Sequence, residues 1–171
     1  MAGKILIYVL LASLTATALA VVAFLYVPGF AAMSGGLTLP EARPMGYDAA
    51  DITAWRAALG PEGLAKYATF QRSVDAVTAL LLAATLALPL YQLARRRAET
   101  LLWSLAPAYL VTDWWENAML LRLTDPQLGQ VPATLATRAG TATSVKFLLL
   151  ALCFAVLLAL WRGRKRRLTR H

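Results

Sequence analysis

The sequence predicts an all-α polytopic membrane protein, a bundle of four transmembrane helices with a short amphipathic helix outside the membrane. Two observations predict this fold class. Of the 171 residues, 59% are hydrophobic and only 15% are charged, whereas soluble chains average about 45–50% and about 25%. In addition, four segments approach the roughly 20 apolar residues that cross a bilayer. These segments lie at about 5–27, 74–93, 101–121 and 143–161.

The first apolar segment is followed by Pro28-Gly29, which predicts that its helix ends near Val27. Lys4, together with the small residues at 18–20, is also typical of a secretory signal with a cleavage site. Because the apolar run continues as far as Val27, it is longer than a signal core requires. We therefore expect the segment to be retained as a membrane span.

Basic residues predict the orientation. Ten of the 17 Lys and Arg residues would lie on one side, at Lys4, at Arg95 to Arg97 and in the tail 162–171, whereas the other seven are spread over long loops. The positive-inside rule then puts both termini in the cytoplasm, in a multi-pass protein of the bacterial cytoplasmic membrane. The basic tail is expected to contact anionic lipids. Nucleic acid is not an expected partner, because no aromatic residue follows Trp161 to stack on bases.

The segment 28–73 is predicted to lie outside the membrane. Glycines and prolines at 28–46 favour an extended loop. Asp48 can then cap a short amphipathic helix that Gly60-Pro61 ends. The apolar side chains of this helix share one face and are Ile52, Trp55 and Leu59. The helix is either packed on the bundle or a lid over an opening between the spans. A second helix is predicted to run from Pro61 into span two. Residues 122–140 are predicted to form a second outer loop. The whole chain is predicted to be a single domain.

Ionisable side chains fall at one depth in three of the predicted spans. At 1.5 Å per residue, span two carries Asp75, span three carries Asp113 and Glu116, and span four carries Lys146, all in the outer half of the membrane. A charged side chain that faces lipid costs several kcal/mol, so these groups are expected to face the bundle interior and to pair there. The hydroxyls that precede Lys146 are Thr141, Thr143 and Ser144. They either cap span four or add hydroxyls to the charged cluster, and capping is the role that we expect.

Asp113 and Glu116 are the candidate acid/base residues, because two neighbouring buried carboxyls of unequal environment suit proton transfer. Their spacing puts them on one helical face. Further side chains placed to contact a ligand are Arg72, Asp75, Tyr109, Trp114, Asn117 and Lys146. The two nearby cations argue against a metal, and no cofactor is predicted. One Cys and one His exclude an internal disulfide, a bis-histidine haem or a Cys/His zinc site in a lone chain.

The short motifs at Gly46-Tyr47, 58–63, Tyr67 and Asp75, followed by the segment 113–117 and Lys146, resemble a group of bacterial four-span membrane proteins of uncharacterised function. This resemblance covers residues 28–160 and implies no activity. The layout also resembles, more loosely, the emopamil-binding or EXPERA group, whose members bind or isomerise sterols with membrane-embedded acids. No motif aligns with that group residue by residue and no predicted span contains histidine, so no catalytic role carries over.

Three interpretations of the charged cluster remain open: helix packing, a ligand or catalytic site, and ion passage. Passage is the weakest, because the inner halves of the spans contain no polar relay. One functional hypothesis is that the cluster binds or converts a lipid-like or isoprenoid molecule from the bilayer. The other is a non-catalytic accessory or assembly subunit of a larger membrane complex, which small size and Ala-rich helix faces favour. A cavity beside the acids would distinguish the two.

Overall fold

The computed structural model describes residues 2–94 and 101–168. Within these residues every regular element is a helix, so the all-α class is confirmed. The α-helices are α1 (Ala2–Val21), α2 (Val27–Met33), α3 (Ala49–Phe70), α4 (Ala76–Leu93), α5 (Leu105–Leu123) and α6 (Ala133–Leu168).

Three helical stretches are long and apolar enough to cross a membrane, and this indicates a helical membrane protein. They are Ile5–Met33, Ala49–Leu93 and Ala133–Arg164. The helix α5, which corresponds to the third predicted span, is not among them and carries Asp113, Glu116 and Arg122 within 19 residues. Arg95 to Arg97 and residues 169–171 of the basic tail lie outside the described residues.

The first helix does not end at Val27. A π-helical turn at Val22–Tyr26 joins α1 to α2, and the helix continues to Met33. In this turn the N–H of Val27 donates to the carbonyl of Val22, five residues earlier. The widened turn lies directly before Pro28, where a proline in a regular helix would remove a hydrogen bond and clash with the preceding turn. Because the turn accommodates the proline, the predicted extended loop is shortened at its N-terminal end.

The segment between α2 and α3 bends back into the bundle. A 3-10 turn at Pro40–Ala42 carries Glu41, whose side chain is buried. We call the end of the bundle formed by residues 34–48 and 124–132 the loop end. The inward position of Glu41 differs from the extended outer loop predicted for residues 28–46.

The predicted amphipathic helix forms the first part of α3. Asp48 caps it in a reciprocal capping box with Asp51, with N···O distances of 2.9 and 3.1 Å. The predicted apolar face is buried, and Arg56 on another face donates to the carbonyls of Asp125 and Leu128, each at 2.9 Å. The helix is therefore packed on the bundle and tied to the loop between α5 and α6.

A kink at Gly60 separates this amphipathic part of α3 from the rest of the helix. Gly60 has φ 67°, a conformation that residues with a Cβ rarely adopt. Pro61 then begins the next turn. A second π-helical turn, at Gln71–Asp75, connects α3 to α4, so the helical path continues to Leu93 as predicted.

The last helix begins ten residues earlier than predicted, at Ala133 instead of 143. The second loop is therefore confined to residues 124–132. Thr141, Thr143 and Ser144 lie inside α6 and do not cap it, because their hydroxyls bond carbonyls four residues back in the helix. Likewise, the predicted start of span three at 101 is a 3-10 turn, Leu101–Ser104, and α5 begins after it.

Two kinds of apolar core enclose the polar centre of the bundle. Toward the loop end lies an aromatic core, in which ring centroids are 4.7 to 6.3 Å apart. Its rings belong to Tyr26, Phe30, Trp55, Tyr67 and Phe70. At the other end, smaller side chains such as Ala83, Leu86 and Cys153 pack between α4, α5 and α6. The polar side chains described next lie between these two regions.

Candidate ligand-binding site

A buried ion-pair cluster joins α5 to α6. The Nζ atom of Lys146 lies 2.6 Å from Glu116 Oε2 and 3.3 Å from Asp113 Oδ1. Glu116 is 0% exposed, and its other oxygen accepts from the Thr143 hydroxyl. The spacing of the two acids on α5 brings both to the face that meets Lys146, as the sequence predicts. Lys146 therefore balances the charge of one carboxylate fully and contacts a second.

An amide links this cluster to the helix before α4. The Asn117 Nδ2 donates to Asp75 Oδ2 at 2.7 Å and to Asp113 Oδ2 at 3.3 Å. Asp75 ends the π-helical turn Gln71–Asp75, so its carboxylate comes from a helix other than those of the ion pairs. The structure thus brings Asp75, Asp113, Glu116 and Lys146 from three helical segments to one level.

A cavity of about 220 Å³ lies beside the cluster. Six polar side chains contribute to its wall, namely Glu41, Asp75, Thr78, Tyr109, Asp113 and Lys146. The rest of the wall is apolar and includes Leu19, Val22 and Val27 from the first helix. Glu116 and Asn117 do not line the cavity but contact residues that do. The arrangement is amphipathic, with carboxyls on one side and hydrocarbon on the other.

Glu41 reaches the same cavity from the 3-10 turn at the loop end. Its Oε2 accepts from the Tyr67 hydroxyl at 2.6 Å, and that hydroxyl accepts from Gln71 Nε2, also at 2.6 Å. Burial, followed by the nearby Asp75 carboxylate, raises the pKa of Glu41 to about 8. The Glu41 carboxyl is therefore mostly protonated at neutral pH and can gain or lose its proton close to that pH.

Besides Asn117, two predicted ligand contacts lie outside the cavity, namely Arg72 and Trp114. Arg72 is exposed, and the cationic partner of Glu116 is Lys146. The π-helical turn changes the helical register here, so Arg72 does not share the inward face of Asp75 as a regular helix would require. Trp114 is 45% exposed, and its indole N–H donates to the carbonyl of Ala76 at 3.3 Å. Its position next to Asp113 in the sequence turns the ring away from the acidic face.

The sequence analysis missed Glu41, Tyr67 and Gln71 in these roles, and it favoured capping over a place in the cluster for Thr143. A signal existed for the second and third, because Tyr67, Gln71 and Asp75 follow one another at intervals of four on the same helical path. Glu41 carried no such signal, since it lies in a segment rich in glycine and proline that has no period. Thr143 was assigned to a helix end that the structure extends by ten residues.

Carboxyls outnumber cations in the described part of this site. Four carboxyl groups, those of Glu41, Asp75, Asp113 and Glu116, surround the single ammonium of Lys146. Even so, in residues 2–94 and 101–168 there is no group of three His, Cys, Asp or Glu arranged to hold a metal ion. The groups that line the cavity can form hydrogen bonds, pair charges and exchange protons.

No protein-family model, curated protein or solved structure matches this chain.

Proposed function

We propose that the protein is a membrane-embedded binding protein for a lipid-like or isoprenoid molecule, whose polar end enters the cavity beside Asp113 and Lys146. The observation that carries this proposal is the amphipathic cavity of about 220 Å³ next to a buried ion-pair cluster. A cluster that served only to fasten helices would gain stability from close packing, because empty space forfeits dispersion contacts. The cavity is smaller than the roughly 300–1,000 Å³ of most ligand pockets, so it suits one end of a longer molecule.

Access from the bilayer is supported at α1. Leu19 lines the cavity and is nevertheless 41% exposed on the outer surface of the bundle. Only one helix therefore separates the cavity from the surrounding hydrocarbon at this level. Farther from the loop end, a polar contact holds the first helix to α4, because the hydroxyls of Thr15 and Thr85 are 2.7 Å apart. An alkyl or isoprenoid chain would leave the cavity along this apolar wall.

The proposal includes α5 as a fourth span. This helix packs between α4 and α6, and its acids are buried against Lys146 and Asn117 instead of facing outward. Burial of that kind removes the cost that charges in a span would otherwise carry. With four spans, both termini lie on the basic, cytoplasmic side of a bacterial inner membrane, and the loop end faces outward.

Acid/base chemistry on the bound molecule would rest on Asp113. Of the two acids proposed from the sequence, only Asp113 lines the cavity, whereas Glu116 lies behind it against Lys146 and Thr143. Glu116 is therefore proposed as a positioning residue that fixes the lysine. Asp75, Tyr109 and Lys146 complete the polar wall that a ligand would contact.

The experiment is to purify the protein in mild detergent and to identify co-extracted lipids by mass spectrometry. We expect one lipid class to be enriched over the bulk membrane. The enrichment should fall for Asp113→Asn and for Ala79→Leu, because Ala79 lines the cavity and a larger side chain there fills it. The matched controls are Glu62→Gln, at an exposed acid, and Val77→Leu, on the lipid-facing side of α4.

Leu19→Trp is a second variant that should obstruct the cavity. Leu19 is partly exposed, so a larger side chain can be accommodated there without loss of the fold. The proposal is wrong if Asp113→Asn and the cavity variants fold with unchanged stability and retain the wild-type amount of the same lipid.

A second candidate function, an accessory subunit of a larger membrane complex, is favoured by the sparse burial of the first helix. Of the most apolar 18 residues within Ile5–Met33, only 6% are buried by the rest of the protein. Such a face can contact a partner helix as readily as lipid. Mild purification followed by native mass spectrometry separates the two functions: a stoichiometric partner protein supports the subunit hypothesis, and a lone chain with bound lipid supports the binding protein.

A further inference from the structure

The charges that face the cavity are not balanced. Glu41, Asp75 and Asp113 all contribute to its wall, together with Lys146 as the one cation. The shorter ion pair of Lys146, however, is with Glu116, which lies behind the wall, and the contact with Asp113 is 0.7 Å longer (3.3 against 2.6 Å). The lysine charge is thus largely compensated outside the cavity. Apart from the 3.3 Å contact between Lys146 and Asp113, the described residues provide no cation for the carboxyl oxygens that face the cavity.

Few hydrogen bonds reach the carboxyl oxygens of this wall from the described residues. The single amide of Asn117 serves both Asp75 and Asp113. The Oε1 atom of Glu41 accepts no hydrogen bond from the described residues. It is also shielded from solvent, because Glu41 is only 9% exposed. A buried carboxyl oxygen without a partner costs stability in the empty protein. A ligand that supplies N–H donors and a positive charge would satisfy these oxygens.

We propose that the polar end of the bound molecule is a protonated amine, so that the protein recognises an amine-bearing amphiphile. This inference rests on the proposed function and specifies its ligand class. An ammonium group has three donors and no acceptor, which matches the carboxyls of Glu41, Asp75 and Asp113. Its positive charge would also favour the ionised form of Glu41, whose pKa is raised by burial to about 8. Charge-assisted hydrogen bonds of this type are about twice as strong as neutral ones.

The size and the apolar wall set a further limit on the ligand. The cavity of about 220 Å³ corresponds to about seven water molecules at roughly 30 Å³ each. It accommodates an ammonium and several methylene groups. A phosphate would meet the carboxylates at close range, where like charges repel. The methylene groups next to the amine would contact Leu19, Val22 and Val27.

The test compares three probes with the same alkyl chain: dodecylamine, dodecanol and dodecanoate, each titrated into the full-length protein in non-ionic detergent at pH 7. Binding is measured by isothermal calorimetry and checked by thermal unfolding. We expect dodecylamine to bind about tenfold or more tightly than dodecanol, since one charge-assisted hydrogen bond has an effect of that order. Dodecanoate should bind most weakly.

Variants assign the effect to the cavity carboxyls. Glu41→Gln and Asp75→Asn should each weaken dodecylamine about five- to tenfold and leave dodecanol unchanged, and Glu62→Gln should alter neither. If one of the two variants fails to fold, the other still decides the outcome.

Equal affinity for amine and alcohol, or preference for dodecanoate, would overturn the amine inference and leave lipid-like binding intact. If none of the three probes binds and no lipid co-purifies, the proposed function fails as well.

Discussion

The ammonium of Lys146 lies 2.6 Å from the Oε2 atom of Glu116, and this ion pair joins α6 to α5 in the centre of the bundle. Both side chains are almost fully inaccessible. A buried pair of this kind is tolerated because each charge has its partner, and it becomes costly when one partner is removed. Several expected outcomes depend on this relationship or on the contacts around it.

Replacement of the lysine should destabilise the protein strongly. Lys146→Met leaves Glu116 and Asp113 without their cation, and the free energy of unfolding should fall by about 3–5 kcal/mol. Thermal and denaturant unfolding in detergent measure the change. Lys66→Met is the matched control, because Lys66 forms an exposed pair with Glu62 and should change stability by less than about 1 kcal/mol. Adding Glu116→Gln to Lys146→Met should recover part of the loss. Equal effects of the two lysine variants would contradict a structural role for the buried pair.

A methyl group at Gly140 should separate α6 from the loop end. A Cβ on Gly140 would overlap the backbone of Tyr47, with the Tyr47 nitrogen only 2.7 Å away, and backbone atoms yield little. Gly140→Ala should therefore lower the free energy of unfolding by about 1–3 kcal/mol, although alanine favours helix. Gly163→Ala is in the same helix, and among the described residues no atom outside the neighbouring backbone of that helix lies within 4 Å of the new Cβ, so this variant should be neutral or slightly stabilising. If Gly140→Ala behaves like Gly163→Ala, the close approach of the loop is not real.

Glu41 should make stability depend on pH. Its pKa in the folded protein is raised to about 8 from the ordinary 4.5, so between these values the folded state holds a proton that the unfolded state has lost. Stability from this group is complete below about pH 4.5, decreases by up to about 1.4 kcal/mol per pH unit toward pH 8 and changes no further above it. The variant Glu41→Gln should remove this slope.

The comparison of wild type and Glu41→Gln isolates that one group, because Tyr67, Asp75 and Lys146, which face Glu41, are present in both proteins. Unfolding is measured at intervals from pH 5 to 9. Parallel curves for the two proteins would show that Glu41 does not titrate in this range.

The membrane topology predicts a labelling pattern. In a Cys153→Ala background, a cysteine at Met45 or at Gly129 should react with an impermeant thiol reagent applied to intact cells, since both positions are exposed at the loop end. A cysteine at Arg164 should react only after the cells are opened. Labelling of Met45 and Gly129 from opposite sides would exclude α5 as a span, because the chain would then cross the membrane an odd number of times between them.

The helices were predictable because their causes are local. Apolar runs of span length, the cap at Asp48 and the break at Gly60-Pro61 all act within a few residues. The depth of Asp113, Glu116 and Lys146 in the predicted spans was also sufficient to predict that these side chains converge in the interior, because a charged side chain that faces lipid is costly. Which carboxylate pairs with the lysine was not predictable from the sequence.

The remaining features depend on contacts between distant segments. Glu41 enters the interior because a loop folds back over the bundle, and no periodicity in the sequence marks that path. Two predictions were wrong for a common reason, namely that Pro28 ends the first helix and that Arg72 contacts the site. Each of these residues lies within or next to a π-helical turn. A pattern read at 3.6 residues per turn does not register such a turn.

The turn at Gln71–Asp75 has a consequence for sequence change in this region. A π-helical turn holds one more residue than regular helix allows, and each residue of an α-helix advances the side chains by about 100°. Deleting a single residue from this turn would restore regular α-helix, and the helices on either side would keep nearly the same rotation, because the wide turn is what accommodates the extra residue. Tyr67 and Gln71 would then stay on the side of the helix that faces Glu41. A one-residue deletion elsewhere in α3 would instead rotate the side chains upstream of it by about 100° relative to α4, so this short segment tolerates the loss of one codon better than the regular helix beside it.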